Sequence, residues 1–295
     1  MKRSILAASA ALAASLLATA DTADVTKQTV LTTVKDGQPM RMVYELEAKA
    51  WVLFLPVTAK ASFDTRLNAR DYSIRSKVKT TGLADIFANY DLSLNATGYV
   101  RDDHLKTYSY VSQNTDGKKN RLVEMTYDTP NRDFTMVATP LFGNLGDPAV
   151  TKEQAIDAND PLTALMTFAL EPRVAGENPC GGPIKTFGGR ELSHLHLEYA
   201  GMKKVKSKAW KGEAIECHVT LDKVAGYKPG EAESDNLSGV DGPIRMWLAP
   251  LENGSTVPVR IEAETEKIGK VVLQASKLRF EPIVTEEANN RVRGG

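Results

Sequence analysis

The stretch Met246-Trp-Leu-Ala-Pro-Leu-Glu-Asn253-Gly254-Ser-Thr-Val-Pro-Val-Arg-Ile-Glu-Ala-Glu264 decides the fold. Val257, Val259, Ile261 and Ala263 alternate with Pro258, Arg260, Glu262 and Glu264. Strands send successive side chains to opposite faces, so a period of two marks a half-buried β-strand. Asn253-Gly254 supplies the positive φ angles of a tight turn and sits between Met246–Leu251 and Val257–Glu264. The stretch is therefore a β-hairpin with one buried face.

The same alternation recurs along the chain. Met40, Met42, Tyr44 and Leu46 alternate with polar or outward positions, as do Val123, Met125 and Tyr127, and Leu195, Leu197 and Tyr199. Asp36-Gly37 and Asp116-Gly117 read as further hairpin turns. Pattern matching yields roughly a dozen strands. Helices are few. Asp160 caps a segment opened by Pro161, and Leu162, Leu165, Met166 and Ala169 form one stripe, which predicts a short helix ending before Pro172. Gly82 to Tyr90 and Lys152 to Asp157 are two further short candidates. A helix with one apolar stripe must bury it, and in an all-β chain the place to do so is the concave face of a curved sheet. The expectation is an all-β fold: a strongly curved antiparallel sheet, an open or spiral barrel, with one or two short helices on its concave side. Pro140 to Asp160 carries Gly143, Gly146 and Pro148 and reads as a long loop within one domain spanning residues 21–285, followed by a frayed polar tail at 286–295.

The N-terminus reads as an address. Met1-Lys2-Arg3 is charged, Ser4 to Ala18 is apolar without a charge, and Ala18-Thr19-Ala20 is a small-x-small cleavage site before Asp21. These are the three parts of a secretory signal peptide. The run is too short for ~30 Å of hydrocarbon, and no later segment approaches ~20 consecutive apolar residues. No Cys follows the cleavage site to take a lipid. The Ala-rich signal points to a bacterial periplasm. Cys180 and Cys217 both lie in the exported part, where an oxidising compartment favours a disulfide between them. The loop-entropy model assigns such a bridge roughly 4 kcal/mol.

Composition excludes several classes. Hydrophobic residues are 42% and charged residues 25%, and 37 Lys plus Arg balance 37 Asp plus Glu. That is a globular composition without the basic excess of a nucleic-acid binder. No Gly-x-Ser-x-Gly elbow, His-Glu-x-x-His helix, phosphate loop or dinucleotide fingerprint is present, so no catalytic residue and no cofactor is assigned. His194 and His196 share one strand face with Glu198, and with His218 and His104 would offer imidazoles to a metal. The simpler reading is a solvated polar row opposite Leu195 and Leu197, and no metal site is assigned on sequence. Lys204, Lys206 and Lys208 share a face beside Trp210, within a cluster that includes Lys203 and Lys211, and suit an anionic headgroup. A solvated face, or an edge strand guarded by lysines, explains the same run. Asp102-Asp103-His104 reads as a hairpin turn between Leu92–Arg101 and Leu105–Ser112.

Five pieces in order carry a family resemblance. They are Tyr72 to Leu83 with Ala96 to Val100; Asp160 to Met166; Cys180 with Thr186 to Arg190; Cys217 with Ala225 to Tyr227; and Ile244 to Ala249 with Pro258 to Glu262 and Gly269. In this order the chain resembles a bacterial exported family catalogued as domain of unknown function three-one-zero-eight. One departure is that a Pro and a Tyr of the family pattern after Val100 have no clear counterpart. The resemblance implies an open barrel similar to the lipoprotein-carrier and envelope-integrity proteins, and it brings no catalytic residues.

The resulting expectation is a non-catalytic periplasmic protein that supports the cell envelope by binding a lipid or amphipathic partner in the sheet's cavity. Trp51, Leu53, Phe54, Leu55, Leu162, Leu165, Met166 and Trp247 would form the apolar wall; the plain alternative is that all are core. A scaffold that takes an envelope protein by strand addition at Lys203–Trp210 is the second reading. A hydrolase built around His194, His196 and His218 is the third.

Overall fold

The computed structural model describes residues 29–52, 55–81, 91–115, 120–174, 176–229, 240–265 and 269–284. The segment read as a signal peptide, the helix expected at 82–90, the turn expected at Asp116-Gly117, Leu53, Phe54 and the tail lie outside them, as do the side chains of Trp51 and Leu55. Among the described residues no helix is long and apolar enough to cross a membrane.

Helix α1 (Val30–Lys35) precedes strands β1 (Met40–Val52), β2 (Leu55–Leu67), β3 (Asp71–Thr81), β4 (Asp91–Val100), β5 (Leu105–Asn114), β6 (Arg121–Asp128) and β7 (Asp133–Thr139). Helices α2 (Lys152–Asp157) and α3 (Pro161–Leu170) follow. The second half is β8 (Ile184–Phe187), β9 (Leu192–Lys206), β10 (Lys211–Ala225), β11 (Val240–Pro250), β12 (Thr256–Thr265) and β13 (Gly269–Pro282). All 13 strands form one antiparallel sheet in the order β7-β6-β5-β4-β3-β2-β1-β13-β12-β11-β10-β9-β8. The first and last strands pair at the centre, with Tyr44 opposite Leu278, and two meanders run outward from that seam. The free edges are β7 and β8.

The sheet curls around α3. This helix packs against β3, β4 and β5 of one meander and against β8 and β12 of the other. Strands so far apart in sheet order reach one ten-residue helix only if the sheet bends around it. Asp160 caps α3 as expected, accepting from the N–H groups of Leu162 and Thr163 at 2.9 and 3.1 Å. The helix is buried nearly all round rather than along one stripe: Leu162, Thr163, Ala164, Met166, Phe168, Ala169 and Leu170 are all inside, and Leu165 is half-buried. The Tyr72 hydroxyl lies 2.6 Å from Thr163 Oγ1, tying β3 to the helix.

The sheet stays open, and side chains cover its two edges. Phe134 of β7 meets Phe187 of β8 edge-on at 5.8 Å between ring centroids. The segment at Pro140 to Asp160 is a loop holding α2, which packs on β7 with Arg132 3.6 Å from Asp157. Asn159 then pairs with the outer edge of β8, accepting the Phe187 N–H at 2.9 Å. A sheet edge so covered presents few backbone groups to another chain.

Three expectations change. Asp36-Gly37 ends a helix instead of joining strands, because Val30, Leu31 and Val34 bury one face of α1 and Gly37, at φ +87°, follows its C-cap Asp36. Tyr199 faces solvent, because the β9–β10 register shifts between Glu216 and Cys217 and Gly201 turns there at φ +116°. Glu262, an outward position by alternation, is only 5% exposed. The cause is the β9–β10 hairpin. Pairing of β10 with β11 ends at Ile215 opposite Leu248. Beyond that point the hairpin tip reaches across to β13 and β1: the Ala209 N–H donates to Ala275 O at 3.2 Å and Lys208 Nζ to Glu47 at 2.7 Å.

Candidate functional site

The crossing hairpin makes a groove. Lys203, Lys204, Val205 and Lys206 of β9 and Glu216 of β10 form one side, and Arg245, Trp247, Arg260 and Glu262 of β11 and β12 the other, around about 270 Å³. Five cations face two carboxylates there. Arg260 stacks over the Trp247 ring with its guanidinium carbon 5.6 Å from the centroid, a cation–π contact that holds both side chains. Arg260 and Lys270 also donate to Glu262, each at 2.7 Å, and Arg245 lies 3.7 Å from it. Burial by itself raises the Glu262 carboxyl; the hydrogen bonds from Lys270 and Arg260 outweigh it and hold the group below the usual carboxylate range. Lys203 lies 3.9 Å from Glu216 and Lys204 3.9 Å from Glu213. Lys206 faces Lys211 across the hairpin and has no acid partner among the described residues. The groove thus combines an aromatic floor, positive charge in excess and exposed ammonium heads, which suits a ligand carrying a phosphate or carboxylate beside an apolar part.

Sequence reading placed Lys204, Lys206 and Trp247 in two separate proposals, and the structure brings them together. Lys208 is drawn away to Glu47, whose carboxyl it holds below the ordinary range through a hydrogen bond. Leu162 and Met166, at 2% and 0% exposure, are core, and Leu165 packs beside them. Leu162, Leu165 and Met166 thus belong to the packing of α3 against the sheet, while the side chains of Trp51, Leu53, Phe54 and Leu55 from the same expectation lie outside the described residues. Arg245, Arg260, Glu216 and Glu262 were missed. For Arg260 and Glu262 the local signal was alternation, which set them on the outward face.

Cys180 and Cys217 form a disulfide with 6.0 Å between Cα atoms. It ties the loop before β8 to β10, beside Phe168 of α3.

The four histidines do not form one cluster: His104 stands apart from the three on β9 and β10. His104 lies in the β4–β5 turn with Asp103, 2.6 Å away, and borders a cleft of about 250 Å³ with Glu171 of the α3 C-cap and Lys185 of β8. Burial raises the Glu171 carboxyl above its ordinary value. On β9, His194 stands opposite Asp222, His196 opposite Thr220 and Glu198 opposite His218. His194 Nδ1 is 3.8 Å from Asp222 Oδ2. Burial and then Lys185 push the His194 imidazole below its ordinary value, with Asp222 opposing them.

Two solved structures are similar to this chain. A β-barrel-like protein of domain of unknown function DUF1849 from Brucella abortus is 11% identical, covers 83% of this chain and 98% of its own, and has a TM-score of 0.41. A DUF1329 family protein from Desulfovibrio piger is 9% identical, covers 87% and 91%, and has a TM-score of 0.27. No curated protein matches the chain. The profile of one family does match, over residues 42–276, from the second residue after the start of β1 to the middle of β13. With every strand from β2 to β12 and the basic groove inside that match, the chain belongs to the family described as protein of unknown function (DUF3108).

Proposed function

We propose that this is a non-catalytic binding protein of the bacterial periplasm, which supports the cell envelope by holding an anionic amphiphile at the groove between the β9–β10 hairpin and β11–β12. The observation that carries the reading is the excess of cations around Trp247: five basic side chains against two acids, with Lys206 facing another lysine. A disulfide suits an oxidising compartment, and the sequence of residues 1–20 reads as an export signal. The ligand sits on the sheet rather than inside it, because α3 occupies the inside. Each lysine near an anionic surface contributes about 1 kcal/mol, screened by salt.

Vesicle flotation tests this. The protein should float with vesicles containing phosphatidylglycerol and not with phosphatidylcholine alone, and Lys204→Glu with Lys206→Glu should abolish the difference. Equal flotation of that variant sinks the proposal.

A second reading rests on a different observation. β8 pairs with β9 only from Leu192 to Leu195, so the outer edge of β9 from His196 to Lys206 has no strand beside it among the described residues. Tyr199 and Met202 on that stretch are 45% and 47% exposed. An extended segment of an envelope protein would add there as a further strand. Replacing Met202 with Pro should block capture of such a partner and leave vesicle flotation intact.

A further inference from the structure

We propose that His194, His196 and Asp222 bind one divalent transition-metal ion of the zinc class on the outer face of β9 and β10. Residues two apart on a strand point the same way and sit about 6.7 Å apart along it, close enough for two imidazoles to converge on one ion. Asp222 stands directly opposite His194 in the β9–β10 register, where side chains are about 5 Å apart at Cβ. One ligand atom from each of the three residues lies within 4.8 Å of the others, and no other group of three His, Cys, Asp or Glu among the described residues meets that condition. Small rotations about χ1 and χ2 bring those atoms onto one ion. His196 and Asp222 are exposed and His194 is half-buried.

The donor set names the metal. Two imidazole nitrogens and one carboxylate oxygen favour zinc, copper(II) or nickel over magnesium and calcium, which prefer all-oxygen shells. Three protein ligands leave a fourth position to water or an external group. Lys185 is a cation set against the site, being the β8 partner of His194. It also borders the cleft of Asp157 and Glu171, so its ammonium has carboxylates to turn toward. The ion would clamp β9 to β10 at the place where β8 ends and β9 loses its outer neighbour.

Chelator-treated protein titrated with zinc chloride in a calorimeter tests the proposal. The expected result is one equivalent bound, a higher thermal midpoint with zinc than with chelator, and NMR shifts at the imidazoles of His194 and His196 but not at those of His104 and His218. The double variant His194→Ala, His196→Ala and the single Asp222→Asn should lose the bound equivalent, while His218→Ala keeps it. Thermal unfolding of each variant in chelator checks that it is folded; two of the three side chains are exposed, so the fold should tolerate their loss. Zinc binding that survives in the folded double variant, no binding by the wild type, or magnesium bound as tightly as zinc overturns the proposal.

Discussion

Thr107 of β5 donates its hydroxyl to Oδ2 of Asp160, the cap of α3, at 2.7 Å. The other carboxylate oxygen of Asp160 accepts the Leu162 and Thr163 N–H groups, and the side chain is fully buried. One carboxyl therefore fixes both the start of the central helix and its attachment to the sheet. Asp160→Ala should destabilise the protein by about 2–4 kcal/mol, the sum of a lost cap and an orphaned hydroxyl. Denaturant unfolding measures this, and a loss below the cap value would remove the sheet attachment from the account.

The same residue sets a pH dependence. Burial raises the Asp160 carboxyl above its ordinary value, against the hydrogen bonds that it accepts. A folded pKa above the unfolded one means that the native state keeps its proton longer. The native state is thus penalised as pH rises from the unfolded carboxylate value through the folded one, and the penalty is absent below that window. Asp160→Asn keeps a cap and carries no such penalty. Wild-type stability measured relative to Asp160→Asn should therefore rise on going from neutral pH to about pH 4. A wild type that loses stability relative to Asp160→Asn on acidification would contradict the assignment.

Met166 of α3 is wholly buried between the two meanders. Met166→Ala should cost about 2–5 kcal/mol, the range for opening a cavity in a close-packed core. A loss under about 1 kcal/mol would mean that α3 packs loosely enough to make room for a ligand inside the sheet.

The Cys180–Cys217 disulfide closes a 37-residue separation. Replacing both with Ser should lower stability by about 4 kcal/mol in the loop-entropy model. Wild type in reductant should match the double variant in calorimetry, and a variant as stable as the oxidised protein would refute the contribution.

Glu262 divides stability from binding. Glu262→Gln turns one of the two oxygens that accept from Arg260 and Lys270 into an amide donor, removes the charge and should cost about 1–3 kcal/mol. It also leaves the groove one negative charge poorer, so flotation with phosphatidylglycerol vesicles should rise while stability falls. Glu262 titrates low, so its stabilising contribution is present above the unfolded carboxylate value and is lost as pH falls through the depressed one. A variant that floats less than wild type while remaining folded would count against the groove as the anion site.

Reading the chain in order was enough to find the strands of Val123 to Tyr127 and Val257 to Val259, the Asn253-Gly254 turn, the Asp160–Pro161 helix start and the two cysteines that bond. Each of these depends on neighbours within a few residues, where side-chain period, turn chemistry and capping act. The disulfide followed from compartment and count. Three things came only from tertiary structure: the pairing of β1 with β13, the burial of α3 on all sides, and the bend that carries Lys203 to Lys206 over Arg245, Trp247 and Arg260. They join residues far apart in the chain, and no local periodicity records which face another element will cover. That is why Glu262 read as a solvated residue and proved to be the buried centre of a cation cluster.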